Sequence, residues 1–299
     1  MTQATAKKLS VEKIITDVLG TIDREREREI ISRRFGLFDR KETLEQIGEL
    51  LGITRERVRQ LEKAVMARLK AMADSGQLPH IKDVQDQLRE EIHELGKVAR
   101  ISDLSARLSK ENSRIDQARI SFLAQLSPQL AVVDDNDYFH HSVGLKEVHD
   151  EKKIKDHVAK VIEAVKKIGQ PVEIDKIAEH AGHNDPKHAA ALASTSKHLA
   201  TLNGRWGLIK WPMVNPKNIR DKIYVILHEQ GKHLHFNEIA DAIKDSEFKR
   251  KDVTTQAIHN ELIKDKRFVL IGRGIYALKE WGYEKGTVAD IITEVLKKA

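Results

Sequence analysis

The feature that most constrains the fold is a short segment that occurs three times. GKVARISDL (96–104), GQPVEIDKI (169–177) and GKHLHFNEI (231–239) align without gaps, each with an apolar residue five and again eight positions beyond the glycine. Each glycine follows an apolar pattern of helical period: Leu88, Ile92 and Leu95; Val161, Val165 and Ile168; Ile223 and Leu227. Glycine there suits the left-handed residue that ends a helix. Ser102, Asp175 and Asn237 then stand where a second helix would take its N-cap. The copies also end alike, in short β-like runs broken by turn formers at 130–139, 199–209 and 268–278. Asn203-Gly204 is the strongest hairpin signal among them.

Helix, turn, helix, third helix and hairpin is the plan of a winged helix. Three such modules fit behind an N-terminal segment of different pattern, and the expected class is mainly α with small β-hairpin wings. A chain of 299 residues, 40% of them hydrophobic, can fill several cores, whereas one core seldom grows past about 250 residues. Turn-forming stretches divide it: DSGQLP at 74–79, a weaker polar run at 147–153, and Pro212-Met-Val-Asn-Pro216, where two prolines discourage helix on both sides. The expected domains are 1–75, 76–150, 151–214 and 215–299, the last with a C-terminal helix.

Charge follows nearly the same divisions. The 52 basic and 46 acidic residues give +6 overall, distributed as +3 over 1–75, −4 over 76–152, +4 over 153–216 and +3 over 217–299. The acidic module, with Asp134 to Asp137 at its hairpin tip, is the least suited to a polyanion. The absence of cysteine excludes disulfides, thiolate metal sites and cysteine nucleophiles. No uncharged apolar run approaches the ~18 residues of a membrane span, and Met1 to Asp17 lacks a secretory apolar core. A soluble cytoplasmic protein without a membrane partner is expected.

The N-terminal segment carries the chemistry. Residues 43–69 read TLEQIGELLGITRERVRQLEKAVMARL. Leu44, Ile47 and Leu51 form one apolar face, and Val58, Leu61, Val65 and Leu69 another, both at helical spacing. Gly52 permits the turn between them, Gly48 offers a small side chain where the helices approach, and Thr54 is a good N-cap. Together these describe a helix-turn-helix, whose second helix enters the DNA major groove by its N-terminal residues. The exposed face of that helix carries Arg55, Arg57, Arg59 and Lys63, with Glu56 and Gln60 one turn apart. Arg can fork onto guanine, Glu can accept from the cytosine amino group, and Gln can pair with adenine. The alternative is a solvated helix whose Glu and Arg make local ion pairs. Six basic against two acidic residues between Arg55 and Lys70 favour DNA.

The same stretch resembles region 4 of sigma factors of the sigma-70 type. REREREI (24–30), RFGL (34–37), TLEQIG (43–48) and LGITRERVRQLEK (51–63) carry the likeness over about 50 residues. It implies that Arg55, Glu56, Arg59 and Gln60 approach the bases of a −35 promoter element, with Arg57 and Lys63 nearer the phosphates. Thr43 and Thr54 complete the expected DNA-binding set. It also implies contact with the flap of the RNA polymerase β subunit, with Ile30, Ile31, Phe35 and Leu37 supporting that surface or packing in the core. Only 23 residues precede Arg24, none aromatic, so capture of a −10 element by base stacking is not expected there. GKHLHFNEI (231–239), IHNEL (258–262) and GRGIYALKEW (272–281) resemble the HARE-type winged helix of the polymerase delta subunit, and the second copy does so less fully. Trp206, Tyr276 and Trp281 could stack on a base or a partner, or lie in the core.

No phosphate-cradling loop, nucleophile elbow or paired-carboxylate motif is visible, so neither catalysis nor a cofactor is expected. His180, His183 and His188 lie near Asp185 but span a Gly-His-Asn-Asp-Pro turn and share no helical face, and His140-His141 sits in an expected strand. No metal is expected. The leading reading is a nucleoid-associated transcription factor that binds double-stranded promoter-like DNA and RNA polymerase. Alternatives are a polymerase-docking modulator with weak DNA contact, or an accessory component of a restriction or modification system.

Overall fold

The computed structural model describes residues 8–283; the expected C-terminal helix lies outside them. The chain divides into two units, Met1–Ala164 with Ile177–Lys197, and Val165–Lys176 with His198–Ala299.

The first unit begins with α1 (Val11–Gly20), whose Val11, Ile14, Ile15, Val18 and Leu19 form one buried stripe. It is followed by α2 (Glu25–Phe35), α3 (Leu44–Leu51) and α4 (Arg55–Asp74). The first repeat copy then supplies α5 (Ile81–Glu94), β1 (Val98–Arg100), α6 (Ile101–Leu108), α7 (Arg114–Leu126), β2 (Leu130–Val133) and β3 (Ser142–Leu145). The second copy comprises α8 (Glu151–Ile168), β4 (Val172–Glu173), α9 (Ile174–Ala181), α10 (Pro186–Thr195), β5 (Leu199–Leu202) and β6 (Arg205–Leu208). The third comprises α11 (Ile219–Gln230), β7 (Leu234–His235), α12 (Phe236–Asp245), α13 (Thr255–Lys264), β8 (Phe268–Gly272) and β9 (Ile275–Leu278).

All three copies share one topology. The strand behind the repeat glycine pairs antiparallel with the last strand, which pairs with the middle one: β1-β3-β2, β4-β6-β5 and β7-β9-β8. Gly96, Gly169 and Gly231 all have positive φ, as a helix-ending residue requires. Asn203 and Gly204, at φ 49° and 75°, close the β5–β6 hairpin where Leu202 faces Arg205. The winged-helix plan read from the repeat is therefore the one observed.

Two details differ from expectation. The first strand of each sheet, only two or three residues long, carries no readable alternation, and it runs directly into the next helix. Ser102, Asp175 and Asn237 consequently lie inside the first helical turn rather than at the N-cap. In the third copy His235 takes that place, its ring accepting from the Asn237 amide while Glu238 accepts from the His235 amide. His140 and His141 lie in the loop between β2 and β3, not in a strand.

The core of the first unit is continuous across residue 75. Ile31, Leu37, Val65 and Leu69 of the N-terminal segment share one buried cluster with α1 and with Leu88, Ile92, Leu104 and Phe122 of the first winged helix. Phe35 packs on Phe122 with ring centroids 4.9 Å apart. Arg119, 7% exposed, donates to the Leu37 carbonyl at 2.8 Å and pairs with Glu12. In the second unit a separate core joins Ile223, Leu227, Ile239, Ile258, Leu262 and Phe268. Tyr276 belongs to it and is 3% exposed, and Trp281 packs against it, so these two aromatics serve packing. Trp206 is half-buried beside Val172 in the second sheet. Among the described residues no helix is long and apolar enough to cross a membrane.

Candidate nucleic-acid interface

α3 and α4 form the helix-turn-helix the apolar spacing predicts. Ile30, Ile47 and Val58 close a small core of their own, with Leu44, Leu51, Ile53 and Leu61 packed around it. Thr43 caps α3 reciprocally: its side chain accepts from the Gln46 amide, and the Gln46 side chain accepts from the Thr43 amide. Gly52, at φ 64°, ends α3. Thr54 caps α4 by accepting from the Arg57 amide at 3.2 Å. Gly48 is needed for the turn more than for a helix crossing. A Cβ there would lie 2.7 Å from the Ile53 carbonyl oxygen, whose own amide donates to the Gly48 carbonyl at 2.9 Å.

α4 has 20 residues and is therefore about 30 Å long. Its two halves do different work. Val65, Leu69 and Ala73 are buried in the shared core, which anchors the C-terminal half. Arg68 donates to the buried Glu27 carboxylate at 2.7 Å, and Arg34 pairs with Glu62 at 3.2 Å, fixing α4 against α2. The N-terminal half fully buries only Val58, packs Leu61 against the same small core, and turns most of its other side chains to solvent.

Every sequence-predicted site residue is exposed: Thr43, Thr54, Arg55, Glu56, Arg57, Arg59, Gln60 and Lys63. The face is internally bonded. Arg59 donates to both Glu56 carboxylate oxygens at 2.8 and 2.7 Å, and Gln60 donates to one of them at 3.3 Å. Arg57 donates to Gln60 at 3.4 Å, and Arg55 pairs with Glu45 of α3 at 3.0 Å. The Arg59 guanidinium holds the Glu56 carboxyl down at about 2, so it is ionised at neutral pH. These bonds link exposed groups whose ion pairs are screened by water, so replacing them by contacts to bases or phosphates costs little. The positive end of the α4 dipole adds to the attraction for phosphate at this surface.

Of the residues considered for a polymerase-facing surface, Ile30, Ile31 and Leu37 are fully buried, and Phe35 is turned onto Phe122. Their role is packing. The histidine grouping is also revised. His183 and His188 meet His149 and His157, which sequence spacing did not associate with them, while Asp185 caps α10 by accepting from the Lys187 and His188 amides.

Geometry and chemistry define the head as a helix-turn-helix with a cationic, hydrogen-bonding recognition face. The family model for sigma-70 region 4 matches residues 24–71, so this head is a region 4 domain. Among curated proteins, 57 residues are 47% identical to the RNA polymerase sigma factor sigB of Arabidopsis thaliana, covering 19% of this chain and 9% of that protein. Over 65 residues the chain is 43% identical to the RNA polymerase sigma factor SigA of Listeria monocytogenes, covering 21% of this chain and 17% of that protein. The chain thus spans less than a fifth of the length of the curated relatives it matches. No solved structure gives a significant match.

Proposed function

We propose that this chain is a transcription factor that reads −35-like promoter DNA through the N-terminal half of α4 and associates with RNA polymerase. The observation that carries the reading is the solvent-facing set Arg55, Glu56, Arg57, Arg59, Gln60 and Lys63 on a helix anchored from behind. Arg55 and Arg59 fork onto guanine, Gln60 onto adenine, and Glu56 accepts from a cytosine amino group. Arg57 and Lys63, with Thr43 and Thr54 at the two helix starts, meet phosphates and fix the register. Catalysis has no part in this reading.

The third winged helix, and less fully the second, are proposed to be HARE-type modules and the first a degenerate acidic one, and together they position the head or bind a protein partner. Ile31, Phe35 and Leu37 pack in the core, so the proposed polymerase contact is assigned to other side chains. The acidic loop Asp134 to Asp137, unsuited to phosphates, supports a protein contact for the first winged helix, and with it the second reading, a modulator docked on polymerase.

Selection of duplexes from a random pool, with and without core polymerase, tests the proposal. Enrichment of a −35-like element by the chain supports it. Recovery of the pool without any enriched sequence in either arm would refute base reading and leave docking.

A further inference from the structure

In the first unit four histidines from separate elements face one another: His149 after β3, His157 in α8, His183 before α10 and His188 in its first turn. His149 is 1% and His188 7% exposed. Their Nε2 atoms are 2.9 Å apart, and one ring nitrogen each of His149, His157 and His188 lies within 4.8 Å of the other two. The His183 ring centroid is 5.2 Å from that of His157 and 5.8 Å from that of His188. Nδ1 of His149, Nδ1 of His157 and Nε2 of His183 are buried without a hydrogen-bond partner. Buried polar atoms nearly always have partners, so the unpartnered nitrogens of these adjoining rings require an explanation.

The surroundings supply one. Nδ1 of His188 lies 2.6 Å from the Gly96 carbonyl and therefore carries the proton, so its Nε2 accepts from Nε2–H of His149, a hydrogen bond that a metal ion would replace. A backbone carbonyl fixing the far nitrogen is the usual support of a metal-binding imidazole. Gly96 is what allows this carbonyl to approach α10, because a Cβ on it would meet the Lys187 carbonyl at 2.7 Å and the Ala191 Cβ at 2.9 Å. Burial holds His149, His157 and His183 below the ordinary imidazole range, in the neutral form that ligates.

We propose that His149, His157 and His188 bind one zinc ion, with His183 at the fourth coordination position. Zinc–imidazole bonds of about 2.0–2.1 Å set tetrahedral ligand nitrogens roughly 3.4 Å apart, and the observed separations, from 2.9 Å to at most 4.8 Å, bracket that value. An all-nitrogen set suits a late first-row transition metal and not magnesium or calcium, which take oxygen ligands. Four imidazoles fill a tetrahedral zinc ion and leave no position open for substrate, so the proposed role is structural. It ties the segment after β3 to α8 and α10, as a disulfide would in a chain that had cysteine.

The test uses the full chain stripped with chelator and titrated with zinc chloride against a chromophoric zinc indicator. One equivalent binds with a Kd of roughly 1 µM or tighter, the melting temperature rises and falls back on adding EDTA, and Co2+ gives the intense absorption of a tetrahedral site. His157→Ala, at a half-buried ring, weakens zinc more than about 100-fold with its circular dichroism unchanged, whereas His180→Ala and His233→Ala do not. If His149→Ala or His188→Ala fails to fold, His157→Ala still decides. Zinc bound no more tightly by the parent than by His157→Ala, or bound without any change in melting, would overturn the proposal.

Discussion

Arg59 grips both carboxylate oxygens of Glu56, at 2.8 and 2.7 Å, from one turn further along α4. One of the two arginines proposed to fork onto guanine and the carboxylate of the proposed recognition face thus neutralise each other in the free protein. Glu56→Gln releases Arg59 and removes the repulsion from phosphate. The expected result is tighter binding to scrambled duplex and a smaller preference for the selected site, both read by fluorescence anisotropy. In the free protein the Glu56 carboxyl is held at about 2, so its charge does not change between about pH 5 and 8, and the wild-type preference is expected to stay constant over that range.

Gly48 is fixed by contact with the turn. Gly48→Val places methyl groups against the Ile53 carbonyl, which already lies 2.7 Å from where a Cβ would sit. The turn must open, costing about 1–3 kcal/mol and tilting α4 away from α3. Chemical denaturation checks the stability, and the same variant loses DNA affinity although every residue of the α4 face is retained.

The shared core makes the head dependent on the first winged helix. Phe122, fully buried and packed at a tilt on Phe35, is worth about 3–5 kcal/mol on truncation to Ala. A fragment ending at residue 75 exposes Ile31, Leu37, Val65 and Leu69, and is expected to melt far below a fragment ending at residue 150. Calorimetry of the two fragments decides the matter.

In the second unit Lys222, 4% exposed, donates to the Lys249 and Arg250 carbonyls at 2.9 and 2.6 Å. Burial and the nearby Arg250 push its ammonium below the usual lysine value. Lys222→Met keeps the volume and strands both carbonyls, each at about 1–3 kcal/mol. Thermal melting of the variant reports the loss, and DNA selectivity through α4 is unaffected.

Much of this was legible in the sequence because burial follows period. Ile47, Val58, Val65 and Leu69 recur at helical spacing and are buried, and Thr43, Gly52 and Thr54 cap and turn the two helices as their chemistry dictates. The repeat glycines and Asn203-Gly204 announced the winged plan in the same way. What escaped was non-local. The first strand of each sheet exists only through its pairing with a strand about 30 to 45 residues later, and two or three residues hold no alternation. His149 and His157 belong with His183 and His188 only because the loop after β3, α8 and α10 meet in space, and no spacing rule joins them.

Base reading by the N-terminal half of α4 would show as a preference for the selected sequence that single side chains control. The most direct measurement is the ratio of dissociation constants for selected and scrambled duplexes, taken across a salt series, for the wild type, Arg55→Ala and Arg59→Ala. Each variant is expected to lower this ratio by roughly ten- to a hundredfold while binding to scrambled duplex changes little. Variants that keep the wild-type ratio, with affinity reduced equally for both duplexes, would contradict base reading and reduce the face to a phosphate contact.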